Sequence, residues 1–130
     1  VLAGIAVPIY ADFRYKAQVA TAQAILREIE GAINVYYYRN NNTYPATLDD
    51  AMIATPIDPW GNPYKYVSSQ DPNWYALQRL DRNMRPLNSD FDLYSMGLDG
   101  RSAPALTAAV SHDDVIRAAN GGFLDLATLY

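Results

Sequence analysis

The chain has 130 residues, half of them hydrophobic, which suits one folded domain with a modest core and excludes a disordered protein. Its formal net charge is −4 and it contains no long basic run, so a nucleic-acid partner has little electrostatic support and none is predicted. It has no cysteine, which excludes disulfide bonds, thiolate metal ligands and cysteine nucleophiles.

The first eleven residues, VLAGIAVPIYA, carry no charged side chain. A bilayer crossing needs about 20 apolar residues, so this stretch alone is too short to span a membrane. Two interpretations remain open: the end of a longer spanning helix, whose start we expect in a precursor, or a soluble helix with an apolar first turn. Aromatic residues beside basic ones would form an interfacial anchor in the first case. They are Tyr10, Phe13, Tyr15, Arg14 and Lys16.

The next segment has the period of an amphipathic helix. Its apolar positions are Ala22, Ile25, Leu26, Ile29, Ala32, Ile33 and Tyr36. The pattern predicts an N-terminal helix within residues 1–40, continuous with a globular head of residues 41–130 in a single domain. A helix this long exceeds what the head can cover, so we expect its N-terminal half to pack on lipid or on other subunits.

The head shows strand signals in three short segments, residues 63–67, 74–80 and 91–95. Thr47 and Asp50 have capping-box spacing and predict a short helix that ends near Met52 and Ile53. A second short helix is expected over residues 113–119. The predicted fold class is α+β, in which a long N-terminal helix packs on a small antiparallel sheet of about three strands.

The last third of the chain carries Asp99 in a Gly-rich turn and the adjacent pair Asp113 and Asp114. Carboxylates that are folded close together repel, no basic residue flanks the pair, and a hard divalent cation relieves such repulsion. Calcium tolerates irregular oxygen cages, whereas magnesium requires an octahedron. In the alternative interpretation, Asp113 and Asp114 only cap the short helix that follows, which leaves Asp99 unexplained.

Other chemistry has less support. Residues 90–92 begin like an EF-hand but lack its glycine and closing glutamate. His112 is the only histidine, so an ordinary zinc site cannot be built, and it is expected to be exposed. Ser111, His112 and Asp113 are sequence neighbours, an arrangement that rarely forms a catalytic relay, and no nucleophile elbow is present. We therefore predict that the protein is not an enzyme.

Several motifs occur together in a fixed order: LAGIAVP at residues 2–8, DPWGNPYKY at 58–66, FDLYSMGLDG at 91–100 and SHDDV at 111–115. In these motifs the chain resembles the major pseudopilins of bacterial type II secretion systems, which are related to type IV pilins. The second motif is highly specific, while the first is common to all pilins. The absence of cysteine favours this branch over type IV pilins whose loop is closed by a disulfide.

The resemblance implies a calcium site formed by the side chains of Asp99, Asp113 and Asp114 and the main-chain carbonyl groups of Met96 and Ser111. It also implies a subunit made as an inner-membrane precursor, cleaved by a prepilin peptidase and methylated. Such subunits self-associate into a helical periplasmic filament together with minor pseudopilins. An inner-membrane assembly platform and a cytoplasmic ATPase build the filament, whose growth drives folded proteins through an outer-membrane secretin.

Two other functions remain as alternatives. A type IV pilin would form a surface fibre for adhesion or motility. A calcium-dependent binding module, such as a lectin, would be monomeric and would bind its ligand only with the ion present.

Overall fold

The structure is a computed structural model that describes residues 2–52, 54, 56–81 and 85–130, with the side chains of all but 2–9 and 85. Helix α1 (Leu2–Arg39) is followed by the single-turn helices α2 (Leu48–Ala51) and α3 (Trp74–Leu77). The strands are β1 (Lys65–Ser68), β2 (Leu80–Asp81), β3 (Arg85–Pro86), β4 (Phe91–Ser95), β5 (Val115–Ala118) and β6 (Phe123–Leu126). Short 3-10 turns cover Ala109–Ser111, Ala119–Gly121 and Ala127–Leu129.

The predicted long N-terminal helix is confirmed as α1. It ends where two asparagines adopt left-handed conformations, Asn41 at φ 55° and Asn42 at φ 60°. The N–H of Asn42 donates to the carbonyl of Tyr37 at 3.0 Å, which caps the last turn of the helix. Among the described residues, no helix has both the length and the apolar character needed to cross a membrane.

The predicted antiparallel sheet is also confirmed, with four strands in the order β1-β4-β5-β6. The buried face of α1 packs on one side of this sheet. The core between them contains Val19, Ala22, Leu26, Ile29 and Ile33 from the helix and Phe91, Leu93 and Val115 from the strands. The second half of α1 therefore belongs to the head, as its apolar pattern predicts.

Two local predictions were wrong. Residues 74–80 were expected to form one strand, but they form α3 and the start of β2, which pairs only with β3. Residues 113–119 were expected to form a short helix, but they lead into β5, which is hydrogen-bonded between β4 and β6. The short helix capped by Thr47 is confirmed as α2, although Ile53, near its expected end, lies outside the described residues.

Candidate metal centre

The three predicted carboxylates lie close together at one end of the two central strands, β4 and β5. In the antiparallel pair β4–β5, Ser95 lies opposite Val115, so the end of β4 and the start of β5 are adjacent. Asp99 follows β4 through a tight turn, and Asp113 and Asp114 immediately precede β5. One carboxylate oxygen from each of the three residues lies within 4.8 Å of the other two. The fold thus brings together residues that are separated by a long spacer in the sequence.

Two carboxylate oxygens of this cluster are buried without a hydrogen-bond donor. One is Asp113 Oδ1, whose partner oxygen Oδ2 accepts the N–H of Asp99 at 2.7 Å. The other is Oδ1 of the fully buried Asp114, whose Oδ2 is held by Arg79 and Ser102. Buried acceptors without a donor are unfavourable, and a cation would satisfy both. The all-oxygen donor set fits a hard cation such as Ca²⁺.

Burial and neighbouring negative charges disfavour the ionised forms of two of the clustered carboxyl groups. Burial raises the pKa of Asp114 to about 7, and the charge of Asp113 acts in the same direction against the lowering effects of Ser102 and Arg79. Burial also raises the pKa of Asp113, and the charge of Asp99 adds to that increase. Burial therefore disfavours the ionised form of both carboxyl groups, and the ion pair of Asp114 with Arg79 offsets this effect only in part.

The two predicted main-chain ligands lie in the same segments. Met96 follows β4 directly, and Ser111 closes the 3-10 turn before the paired aspartates. The hydroxyl of Ser111 is buried, accepting the N–H of Ala103 at 3.0 Å and donating to the carbonyl of Ala103 at 2.9 Å. The carbonyl of Ser111 accepts the N–H of Asp114 at 3.2 Å. Ser111 thereby folds the spacer back onto the cluster.

The turn at residues 58–62 is hydrogen-bonded to the end of β4 and to the start of this loop. Asp58 Oδ1 accepts the N–H groups of Trp60 at 3.1 Å and Asn62 at 2.8 Å, and Oδ2 accepts the hydroxyl of Ser95 at 2.6 Å. The Nδ2 of Asn62 donates to the carbonyl of Gly97 at 3.2 Å. The most specific sequence motif therefore acts as a brace for the acidic loop, a role that its residues alone do not indicate.

A basic residue that sequence reasoning missed lies against the cluster. Arg79 is only 2% exposed, and its Nη2 is 2.9 Å from Asp114 Oδ2. Its guanidinium lies over the ring of Tyr94, 4.2 Å from the centroid. No basic residue flanks the aspartates in the chain, but Arg79 reaches them from a distant segment. The sequence around Arg79 carries no signal for this contact, because Arg79 and Asp114 are 35 positions apart in the chain.

Ser111, His112 and Asp113, which were considered as a catalytic relay, are not arranged as one. His112 is exposed, and its Nε2 lies 3.3 Å from the carbonyl of Thr107. The hydroxyl of Ser111 is occupied by Ala103. Within the described part of the chain, the imidazole of His112 therefore hydrogen-bonds neither the serine nor a carboxylate, and these residues do not have relay geometry.

A long helix with an exposed first part, packed on a small antiparallel sheet beside an acidic loop, is the pilin-like α+β architecture. No family model matches the chain. The chain is similar to the type II secretion system core protein G of Pseudomonas aeruginosa, at 26% identity over 78% of this chain and 74% of that protein. This similarity confirms the resemblance to type II secretion pseudopilins that the motifs indicate.

Proposed function

We propose that the protein is a structural subunit of a type II secretion pseudopilus and not an enzyme. In this proposal it starts as an inner-membrane precursor and self-assembles into a periplasmic filament. It acts with minor pseudopilins, the inner-membrane assembly platform and the outer-membrane secretin. The similarity to a secretion system core protein supports the system and the envelope location.

The observation that carries the filament proposal is the exposure of the first part of α1. Residues 10–14 are all exposed, and the side chains of Tyr10 and Phe13 are 68% and 72% accessible. Val19 is the first buried residue among the helix side chains that the structure describes. Aromatic side chains exposed along a helix that leaves its own head are expected to be covered by other helices or by lipid.

The test is site-specific photo-crosslinking in cells that make the whole secretion apparatus. A photoreactive residue at Phe13 should give a ladder of multimers, because each subunit in a head-to-tail filament contacts the next one. The matched control is the same residue at Tyr75, which is 87% exposed on the head and should give no ladder. Monomers alone at Phe13 would contradict the proposal, and ladders confined to fibres on the cell surface would favour a type IV pilin.

We also propose that Ca²⁺ binds the side chains of Asp99, Asp113 and Asp114 and the carbonyl groups of Met96 and Ser111. The support is the pair of donorless buried oxygens in an all-oxygen cluster. The ion would clamp the loop that a disulfide closes in other pilins. At a calcium concentration about 1,000 times Kd, the free energy of unfolding would rise by about 4 kcal/mol.

The calcium proposal is tested by thermal melting in calcium and in chelator. The wild-type protein should melt higher in calcium, while Asp99→Ala and the double change Asp113→Ala with Asp114→Ala should lower Tm and abolish the calcium effect. Asp12→Ala is the control, since that carboxylate lies on the exposed part of α1 and pairs with the exposed Lys16. Identical wild-type curves in both conditions would rule out the site.

A further inference from the structure

Arg79 is held in place by contacts from three separate segments. Its backbone N–H donates to Asp92 Oδ2 at 2.6 Å, and its carbonyl accepts the N–H of Leu87 at 2.9 Å. Its Nη1 donates to the hydroxyl of Ser102, which itself bonds the same carboxylate oxygen of Asp114. The backbone of Arg79 is thus fixed by Asp92 and Leu87, and its guanidinium is held against Ser102 and Asp114.

The two carboxylate oxygens of Asp114 therefore have different surroundings. Oδ2 accepts from Arg79 and Ser102, and Oδ1 is buried and has no donor. With a metal bound, the three carboxylates are deprotonated and sum to −3, and the +1 of Arg79 brings the total to −2. That value balances the charge of one divalent cation, whereas a trivalent cation would keep one uncompensated positive charge.

We propose that Arg79 is a positioning and charge-setting residue of the metal centre, which orients Asp114 Oδ1 towards the ion and makes the centre selective for a divalent ion. The inference rests on the proposed calcium site and extends it to ion selectivity. Arg79 does not touch the ion, because a guanidinium carries only donors. It acts through Asp114.

The test compares Ca²⁺ with Tb³⁺, which resembles Ca²⁺ in size and oxygen preference but carries one more charge. Calorimetry on the full chain gives both dissociation constants. In Arg79→Gln the cluster changes to −3, so Kd(Ca²⁺)/Kd(Tb³⁺) should rise by about tenfold or more, which lies between the strength of one unit-charge interaction in water and its strength near a protein surface. Arg79→Lys keeps the charge and should keep the ratio. Ser102→Ala removes an uncharged partner of the same oxygen and should also leave the ratio unchanged.

A second pair of variants covers the case in which Arg79→Gln does not fold alone. Asp114→Asn lowers the cluster to −1 and should reduce the ratio, and adding Arg79→Gln restores −2 and should restore it. Removing both members of a buried pair leaves no unpaired charge. An unchanged ratio in Arg79→Gln, or no restoration in the double variant, would overturn the role of Arg79 while the site stands. A wild-type protein that binds neither ion would overturn both.

Discussion

Gly97 lies where the two segments of the acidic loop come closest together. Its φ is 68°, and a Cβ added there would lie 2.1 Å from the carbonyl oxygen of Asp113. Any side chain must therefore push the Asp113 backbone away from the cluster, in a conformation that already disfavours L residues. We expect Gly97→Ala to lower the free energy of unfolding by about 2 kcal/mol or more and to reduce any calcium-dependent increase in Tm.

Gly31 provides the matched control for that change. It lies within α1, and a Cβ added at this residue would have open space around it, with no neighbouring atom within 4 Å. Because alanine is the better helix former, Gly31→Ala should stabilise the protein by up to about 1 kcal/mol. Thermal melting of both variants in calcium and in chelator measures the two effects. Equal effects of the two substitutions would contradict the steric argument.

Asp92, which is not one of the three clustered carboxylates, gives the stability of the protein a pH dependence of its own. Burial raises its pKa to about 6, although hydrogen bonds from Asn88 and from the N–H of Arg79 oppose the increase. The folded protein therefore holds this proton more tightly than the unfolded chain does. Stability from this group is greatest at low pH and is lost as the pH rises from about 4 through 6.

We expect the stability of the wild-type protein relative to Asp92→Asn to decrease as the pH rises. Between pH 4 and pH 7, the unfolding free energy of wild type minus that of the variant should decrease by up to about 3 kcal/mol. Urea denaturation at a series of pH values in chelator measures it, and the subtraction cancels the titration of the other carboxylates. A flat difference, or one that increases with pH, would show that Asp92 does not have a raised pKa.

At the scale of elements, one buried arginine ties α1 to the sheet. Arg117 in β5 is 2% exposed and pairs with Glu30 of α1 through Nε and with Asp90 at 2.7 and 2.8 Å. Arg117→Met would remove the buried cation from both carboxylates, and Glu30 would keep its contact with the half-exposed Arg27. We expect a loss of about 3 kcal/mol or more in unfolding free energy.

Arg27, an exposed residue that also contacts Glu30, provides the control for Arg117→Met. Arg27 also pairs with Glu30, at 3.1 Å, but its side chain is half exposed. Arg27→Gln should therefore change stability by less than about 1 kcal/mol. Both variants are measured by urea denaturation at neutral pH. A loss in Arg27→Gln as large as that in Arg117→Met would mean that burial does not decide the strength of these contacts.

The elements that sequence reasoning predicted are those with a clear period. The face of α1 follows from regular apolar spacing, and β1 and β4 follow from alternation next to turn residues. The segment 74–80 failed because its mixture of large apolar residues resembles a strand, whereas only Trp74 and Arg79 are buried in it. Strand β5 failed because all four of its residues are buried, which gives no alternation to read.

For the metal cluster too, sequence reasoning found residues that stand out locally and missed a contact between residues far apart in the sequence. Asp99, Asp113 and Asp114 could be found because unneutralised carboxylates stand out in turn-prone sequence. Arg79 could not, because its contact with Asp114 depends on how the β2–β3 excursion folds back, which no local pattern encodes. Isolated charges far apart in the sequence give no signal of being partners.

At the scale of the whole molecule, the acidic loop and the exposed part of α1 are neighbours. Leu98 from the loop lines one groove with Tyr10, Arg14 and Tyr15 of the helix, and the ring of Tyr15 packs near that of Trp60. A clamp on the loop therefore also fixes one wall of the surface that we propose to contact other subunits. Substitutions in the exposed part of α1 should nevertheless affect assembly without affecting fold stability, because Tyr10 and Phe13 are largely exposed.

The double change Tyr10→Ser with Phe13→Ser tests this separation. Both side chains are largely exposed, so the unfolding free energy should change by less than about 0.5 kcal/mol. Assembly should fall sharply, because apolar area that would be buried between subunits is removed. Thermal melting measures the first effect and electron microscopy of filaments from membranes measures the second, with Tyr75→Ser as the exposed control on the head. Filaments at wild-type abundance from the double variant would show that this part of α1 is not an assembly surface.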